Sequence, residues 1–158
     1  MFTVENETVL DASRAEVWAE LSDFTSYSRW SPFVRLEGYA AEGDDIQYSF
    51  RRNTSNPHFS TVRARVIKFE TARQMVFRVG FQHIFAVEEG YRLSPATKGV
   101  RLVHSFRCIG LFSALKLNRA KRNFKKILES TDRRFEQHLK AKKPKATKKA
   151  VRKAKRIR

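Results

Sequence analysis

The sequence has few of the features that mark secreted or membrane-spanning proteins. Its single cysteine, Cys108, excludes an internal disulfide. No stretch approaches the roughly 20 apolar residues of a membrane-spanning helix, which predicts a chain without a transmembrane segment. The first residues include acidic side chains and lack the apolar segment of a signal peptide. We therefore expect a cytoplasmic protein.

The chain also lacks the short motifs of common enzyme classes. It contains no P-loop, no dinucleotide-binding fingerprint and no nucleophile elbow. Its histidines at positions 58, 83 and 138 have no metal-ligand spacing with one another or with Cys108. The sequence therefore predicts no metal and no cofactor, and it favours a binding protein over an enzyme.

Acidic residues are absent from the last part of the chain. The net charge is +17, yet residues 1–112 hold 14 basic and 13 acidic residues. Residues 140–158 hold 11 basic residues and no acidic one. A low-complexity basic segment of this kind does not fold alone. We predict one domain over residues 1–139, followed by a disordered polybasic tail over residues 140–158.

The start of the domain predicts a strand and two helical pieces. Residues 3–10 form the strand, and Ser13 with Glu16 forms a capping box that opens a helix over residues 14–22. Four aromatic residues then follow at intervals of three, which fits one face of a short helical turn. They are Phe24, Tyr27, Trp30 and Phe33. Rings so placed either fill a core or line an opening.

Alternating apolar and polar residues predict six further strands. They cover residues 34–40, 46–52, 60–70, 75–81, 84–93 and 100–108. In the strand 84–93, Phe85, Val87 and Tyr91 share one face. From about Phe112 the period changes to that of an amphipathic helix of about 25 residues. Its apolar stripe contains Leu117, Phe124, Ile127, Leu128, Phe135 and Leu139. The predicted fold class is α+β, a curved antiparallel sheet covered by a long C-terminal helix.

Two stretches carry a resemblance to a known family. They read DASRAEVWAELSDFTSYSRWSPFV at residues 11–34 and KGVRLVHSFRCIGLFSALKL at residues 98–117. Both resemble the START-related polyketide cyclase/dehydrase and lipid-transport superfamily, also called SRPBCC. The resemblance covers roughly residues 2–139 and implies a helix-grip fold with an apolar cavity between sheet and long helix. It also implies binding or transport of a lipid, sterol-like or polyketide-like molecule, with cyclisation or dehydration as the alternative.

The candidate ligand-binding residues lie on the inward faces of the predicted elements. Ligand pockets are mostly apolar with a few converging polar groups. The candidates are Trp30, Phe33, Tyr48, Phe50, Val62, Phe77, Val79, Tyr91, Leu102, His104, Phe106, Leu117, Phe124 and Leu128. Selectivity would come from Tyr48, Tyr91 and His104. His104 is either a hydrogen-bonded core residue or, in an enzyme, an acid–base group.

The polybasic tail has a different predicted partner. Its cations neutralise phosphates without reading a sequence, and an anionic membrane surface attracts the same charge. The polyanion-binding candidates are Lys142, Lys143, Lys145, Lys148, Lys149, Arg152, Lys153, Lys155 and Arg156. Nucleic acid and an anionic membrane surface both remain open as partners, as does a tail that only solubilises the protein.

Overall fold

The computed structural model describes residues 1–81, 83–111 and 117–143. Seven strands and three α-helices make up this part of the chain. The strands are β1 (Phe2–Leu10), β2 (Val34–Glu37), β3 (Asp45–Phe50), β4 (Ser60–Glu70), β5 (Gln74–Phe81), β6 (Phe85–Pro95) and β7 (Val100–Ile109). The helices are α1 (Arg14–Ser22), α2 (Tyr27–Trp30) and α3 (Asn118–Lys142), and a 3₁₀ turn, Phe24–Ser26, precedes α2.

All seven strands form one antiparallel sheet in the order β1-β7-β6-β5-β4-β3-β2. The strands from β2 to β7 form a meander, and β1 joins at the edge of β7. The sheet curls into a half-barrel, and α3 packs against β1, β7 and α2. This helix-grip-like α+β architecture confirms the fold predicted from the sequence.

The local signals at the start of the domain are confirmed. Ser13 Oγ accepts from the backbone N–H of Glu16, and the Glu16 carboxylate accepts from the backbone N–H of Ser13. Helix α1 begins at Arg14 as the capping box requires. Helix α2 ends before Pro32, which disfavours helical geometry at Ser31.

Helix α3 has the predicted length but begins at Asn118, later than the predicted change of period near Phe112. Residues 112–116 lie outside the described part of the chain. The helix buries Leu128, and its C-terminal half packs Phe135 and Leu139 into the core formed with the sheet and the short helices. None of the helices that the structure describes has the length and apolar character to cross a bilayer.

Three of the four regularly spaced aromatic residues fill the core. Phe24, Tyr27 and Trp30 are buried. The ring centroids of Trp30 and of Phe135 in α3 lie 4.6 Å apart. The indole N–H of Trp30 donates to Ser26 Oγ at 3.0 Å. These rings therefore attach the short helices to α3 and the sheet, while the fourth ring, Phe33, has a different environment described below.

Candidate ligand-binding site

An apolar cavity of about 310 Å³ lies between the sheet and the N-terminal half of α3. Strands β3, β5, β6 and β7 supply one wall, and α3 supplies Phe124 and Ile127. Phe33 and Val34, where α2 leads into β2, close another side. Most lining side chains are apolar or aromatic, which is the usual composition of a pocket for a hydrophobic ligand.

The cavity has a polar floor made by Glu89 and Tyr48. Glu89 is 3% exposed and points inward from β6. The Tyr48 hydroxyl donates to Glu89 Oε2. The Tyr91 hydroxyl donates to Glu89 Oε1 at 2.9 Å, and His104 Nε2 lies 2.9 Å from the same oxygen. Three donors therefore converge on one buried carboxylate.

His104 connects this floor to the long helix. Its Nδ1 lies 2.7 Å from Asp132 Oδ1, while Asp132 Oδ2 accepts from Asn6 Nδ2 at 2.7 Å. Burial acts to lower the pKa of His104, but the charges and hydrogen bonds of Asp132 and Glu89 outweigh it and raise the pKa to about 9. At neutral pH His104 is an imidazolium that donates one N–H to each carboxylate.

Sheet register explains why these side chains meet. Asn6 of β1 pairs with His104 of β7, which pairs with Tyr91 of β6. The rings of Tyr91 and His104 stack with centroids 4.2 Å apart. Glu89 lies two residues before Tyr91 in β6, so both side chains point to the same face of the sheet.

The tyrosine hydroxyls are fixed as donors. Burial, reinforced by the negative charge of Glu89, raises the pKa of both Tyr48 and Tyr91 well above the usual value. Both hydroxyls therefore stay protonated throughout the physiological range. Since Tyr48 also lines the cavity, its donation to Glu89 orients that carboxylate toward the cavity.

Half of the predicted ligand-binding residues line this cavity. They are Phe33, Tyr48, Phe50, Phe77, Val79, Phe106 and Phe124. The other seven lie elsewhere. Tyr91 and His104 are buried behind the floor, Trp30, Leu102 and Leu128 belong to the core, Val62 lines a shallow depression beside β3, and Leu117 lies at the start of α3.

Further lining residues were not among the sequence candidates. They are Val34, Arg51, Arg52, Phe85, Val87, Glu89 and Ile127. Two features of the sequence could have identified the ionic part of the site. Two consecutive glutamates in β6, Glu88 and Glu89, must place one carboxylate on each face of the sheet. Asp132 interrupts the apolar stripe of α3, four residues after Leu128.

Arginines mark the open side of the cavity. Arg52 is exposed. Arg51 Nε donates a hydrogen bond to the Pro32 carbonyl oxygen at 2.6 Å. The guanidinium of Arg51 also lies 4.8 Å from the centre of the Phe59 ring. The entrance is therefore positively charged, whereas the floor carries the carboxylate of Glu89.

The remaining titratable candidates have structural environments. Cys108 is buried, and burial raises the pKa of its thiol to about 11, which makes it a poor nucleophile at neutral pH. His138 Nε2 lies 2.9 Å from Glu20 Oε2 and so joins α3 to α1. Within the described ranges, no group of three His, Cys, Asp or Glu side chains is arranged to hold a metal ion.

Two of the polyanion-binding candidates fall within the described residues. Lys142 pairs with Glu20, and Lys143 Nζ lies 3.9 Å from Asp11 Oδ2. Helix α3 extends to Lys142, which is beyond residue 139, the predicted end of the domain. The other seven polyanion-binding candidates, between residues 145 and 156, lie outside the described part of the chain.

Comparison with a family profile and with solved structures agrees with the fold described above. Residues 1–140 match the family profile described as polyketide cyclase / dehydrase and lipid transport. Protein MLL2253 from Mesorhizobium loti superposes with a TM-score of 0.69 at 15% identity, covering 90% of this chain and 98% of that one. TTHA0849 from Thermus thermophilus gives a TM-score of 0.68 at 15% identity, covering 90% and 99%.

A third solved structure is similar over part of its length. DynU16, a putative protein of the dynemicin biosynthetic locus, gives a TM-score of 0.68 at 16% identity, covering 90% of this chain and 48% of that one. At such identities these likenesses show the fold alone. No curated protein matches the sequence.

Proposed function

Because the chain belongs to the polyketide cyclase/dehydrase and lipid transport family, we propose that it binds a hydrophobic small molecule in the cavity between sheet and α3. The cavity itself carries this proposal. Its volume of about 310 Å³ lies at the lower end of the roughly 300–1,000 Å³ that small-molecule pockets have. A ligand of one or two rings, or a short acyl chain, fits this volume better than a whole sterol does.

Burial of apolar surface supplies the affinity. The half-buried rings of Phe33, Phe50 and Phe124 line the cavity and offer apolar surface to a ligand, at about 25 cal/mol per Å² of apolar area removed from water. Among the described residues, every buried side-chain nitrogen or oxygen already has a hydrogen-bond partner. No buried polar side-chain atom of the described residues is therefore without a partner, and burial of the apolar walls supplies most of the binding free energy.

Calorimetric titration of the full chain with naphthalene tests this function. Val79→Trp fills the cavity, while Val76→Trp is the matched control because Val76 lies on the outer face of the same strand. We expect the wild type and the control to bind and the cavity-filled variant to lose at least tenfold in affinity. Absence of binding to the wild type, or equal binding by both variants, contradicts the proposal.

Native mass spectrometry of freshly purified protein extends the same test to the natural ligand. We expect an additional mass that organic extraction recovers as an apolar compound. That mass should be absent from the cavity-filled variant and present in the control. An additional mass retained by the cavity-filled variant contradicts binding in this cavity.

Acid–base catalysis is a second candidate function, favoured by the carboxylate on the cavity floor. Glu89 can accept a proton from a bound carbon acid while the His104 imidazolium and two tyrosines stabilise its position. Benzoylacetone, a β-diketone of suitable size, tests this in D₂O. Wild-type protein should accelerate exchange of the central C–H above the buffer rate, and Glu89→Gln should not. Equal rates for the two proteins contradict catalysis by Glu89.

The polybasic segment provides a separate, sequence-based proposal. Residues 140–158, with 11 basic and no acidic residues, bind polyanions through counterion release. Removal of residues 144–158 should abolish retention on duplex DNA and on anionic vesicles at low salt. It should leave naphthalene binding unchanged. Unchanged retention after the deletion contradicts this role.

A further inference from the structure

The carboxylate of Glu89 has one hydrogen-bond position left. An ionised carboxylate offers about four acceptor positions, two on each oxygen. Oε1 uses both of its positions, for the Tyr91 hydroxyl and for His104 Nε2. Oε2 receives only the Tyr48 hydroxyl among the described residues. One acceptor position on Oε2 is therefore open.

This open position belongs to the carboxylate oxygen whose other partner lines the cavity. Tyr48, the partner of Oε2, lines the cavity together with Glu89. Tyr91 and His104, the partners of Oε1, are buried behind the floor and do not line it. The Tyr48 oxygen also keeps a free lone pair, because its proton is committed to Glu89. The floor thus presents acceptors and no spare donor.

The charge of the buried cluster at the floor also favours a ligand that donates a hydrogen bond. Glu89 and Asp132 are both paired with one imidazolium, that of His104, and neutral Asn6 supplies the other contact to Asp132. The buried cluster thus holds two carboxyl groups and one imidazolium, so its acidic groups outnumber its basic one. A second anion brought to this floor would be repelled, whereas a hydrogen-bond donor or a cation would be attracted.

From this arrangement we infer that the ligand, in the binding function proposed above, carries a hydrogen-bond donor at its buried end. A phenol, an alcohol or an amine donates to the open position on Glu89 Oε2. A carboxylate end is disfavoured at the floor and is directed toward Arg51 and Arg52 at the entrance. The apolar body of the molecule lies between these two ends, against the aromatic walls.

Three naphthalene derivatives of nearly equal size separate the alternatives. β-Naphthol carries a donor, its methyl ether has the same oxygen without the proton, and β-naphthoate has an anionic end. Calorimetric titration of the full chain should give at least tenfold tighter binding of naphthol than of the ether, equivalent to about 1.4 kcal/mol. Naphthol should also bind more tightly than naphthoate, even though the net charge of +17 attracts anions.

Glu89→Gln gives a directional test. Two donors, one of them cationic, hold the side-chain oxygen at the Oε1 position, so the new amide presents its N–H₂ where Oε2 was. The naphthol-to-ether affinity ratio should fall to about one or below. Glu88→Gln is the matched control, because Glu88 pairs with Arg78 at 2.6 Å on the other face of β6. Its ratio should equal that of the wild type.

Tyr48→Phe keeps the inference testable even if the Glu89 variant does not fold. Loss of the hydroxyl opens a second acceptor position on Oε2, so the preference for naphthol should persist or increase. Loss of the preference in this variant would identify Tyr48 as the polar contact and overturn the inference.

The outcomes also separate this inference from the function on which it rests. Equal affinities of naphthol and ether for the wild type, or strongest binding of naphthoate, overturn the donor requirement. The binding function then still holds, provided that naphthalene itself binds. If neither naphthalene nor any derivative binds, both proposals are wrong.

Discussion

The imidazolium of His104 should make the stability of the protein depend on pH. The pKa of His104 is about 9 in the folded protein against 6.5 for an ordinary histidine, because two buried carboxylates outweigh the effect of burial. A folded-state pKa above the unfolded one means that the stabilisation is complete below pH 6.5. It is lost as the pH rises through about 9.

The difference in pKa sets the size of the effect. Each unit corresponds to about 1.4 kcal/mol, so the shift from 6.5 to about 9 gives about 3 kcal/mol. Domains of this kind have total stabilities of about 5–15 kcal/mol, which makes this change a large share. The free energy of unfolding should therefore fall by about 3 kcal/mol between pH 6.5 and about pH 9.5.

Urea denaturation at a series of pH values measures this decline. The buried indoles of Trp18 and Trp30 report unfolding by fluorescence. His104→Gln should be less stable than the wild type by about 3–5 kcal/mol at pH 6, because it leaves two buried carboxylates without their shared cation. Its stability should also stay nearly constant across the pH range in which the wild type declines.

His138→Gln is the matched histidine control. Burial and then the charge of Arg29 lower the pKa of His138, so it titrates on the acidic side of the window. This variant should keep the alkaline decline of the wild type. A wild-type free energy of unfolding that stays flat between pH 6.5 and 9.5 would refute the description of His104 as a cation shared by Glu89 and Asp132.

Three smaller predictions concern single positions. Gly99→Ala should lower the free energy of unfolding by at least about 2 kcal/mol, since its Cβ would lie 2.0 Å from the Leu10 carbonyl oxygen at a φ of +83°. Gly43→Ala, at a φ of +89° with nothing within 4 Å, should cost about 1 kcal/mol, and equal losses would contradict the clash. The Cys108 thiol, with a pKa of about 11, should react with a disulfide reagent at pH 8 only when the protein unfolds, and rapid native modification would contradict its burial. Ser13→Ala should cost about 1 kcal/mol by urea denaturation because it removes the capping box, and an unchanged midpoint would contradict that role.

The elements of the fold could be read from local patterns because those patterns arise from backbone geometry. The capping box at Ser13 marks the start of a helix. The alternation along β4 has the period of a strand, and the apolar stripe ending at Leu139 has the period of a helix. The start of α3 was less predictable. Leu117 continues the apolar spacing but lies just before the helix and makes no side-chain cap.

The cavity could be predicted only in part, since alternation tells which face a side chain is on and not what lies opposite. Phe77 and Leu102 are both inward and fully buried, yet only Phe77 lines the cavity. The difference depends on where α3 crosses the sheet. Phe124 of α3 lines the cavity, whereas Leu128, one turn later in the helix, is fully buried.

The ionic floor was missed because charged residues are rarely fully buried, so neither Glu89 nor Asp132 was considered as a candidate. Glu89 occupies an inward position beside Val87 and Tyr91, and its outward neighbour Glu88 was the expected kind of site for a charge. Asp132 similarly lies on the buried side of α3. His104 is close enough to pair with both carboxylates, and the Tyr48, Tyr91 and Asn6 side chains supply their other hydrogen bonds.

Local periodicity and composition were enough to establish the order of elements, the α+β class, the neutral body and the basic C-terminal segment. These properties need no knowledge of distant contacts. The assembly of Glu89, His104 and Asp132 into one buried ionic cluster at the floor of a cavity became visible only in three dimensions. These three residues come from β6, β7 and α3, and only sheet register and helix packing bring their side chains within hydrogen-bond distance.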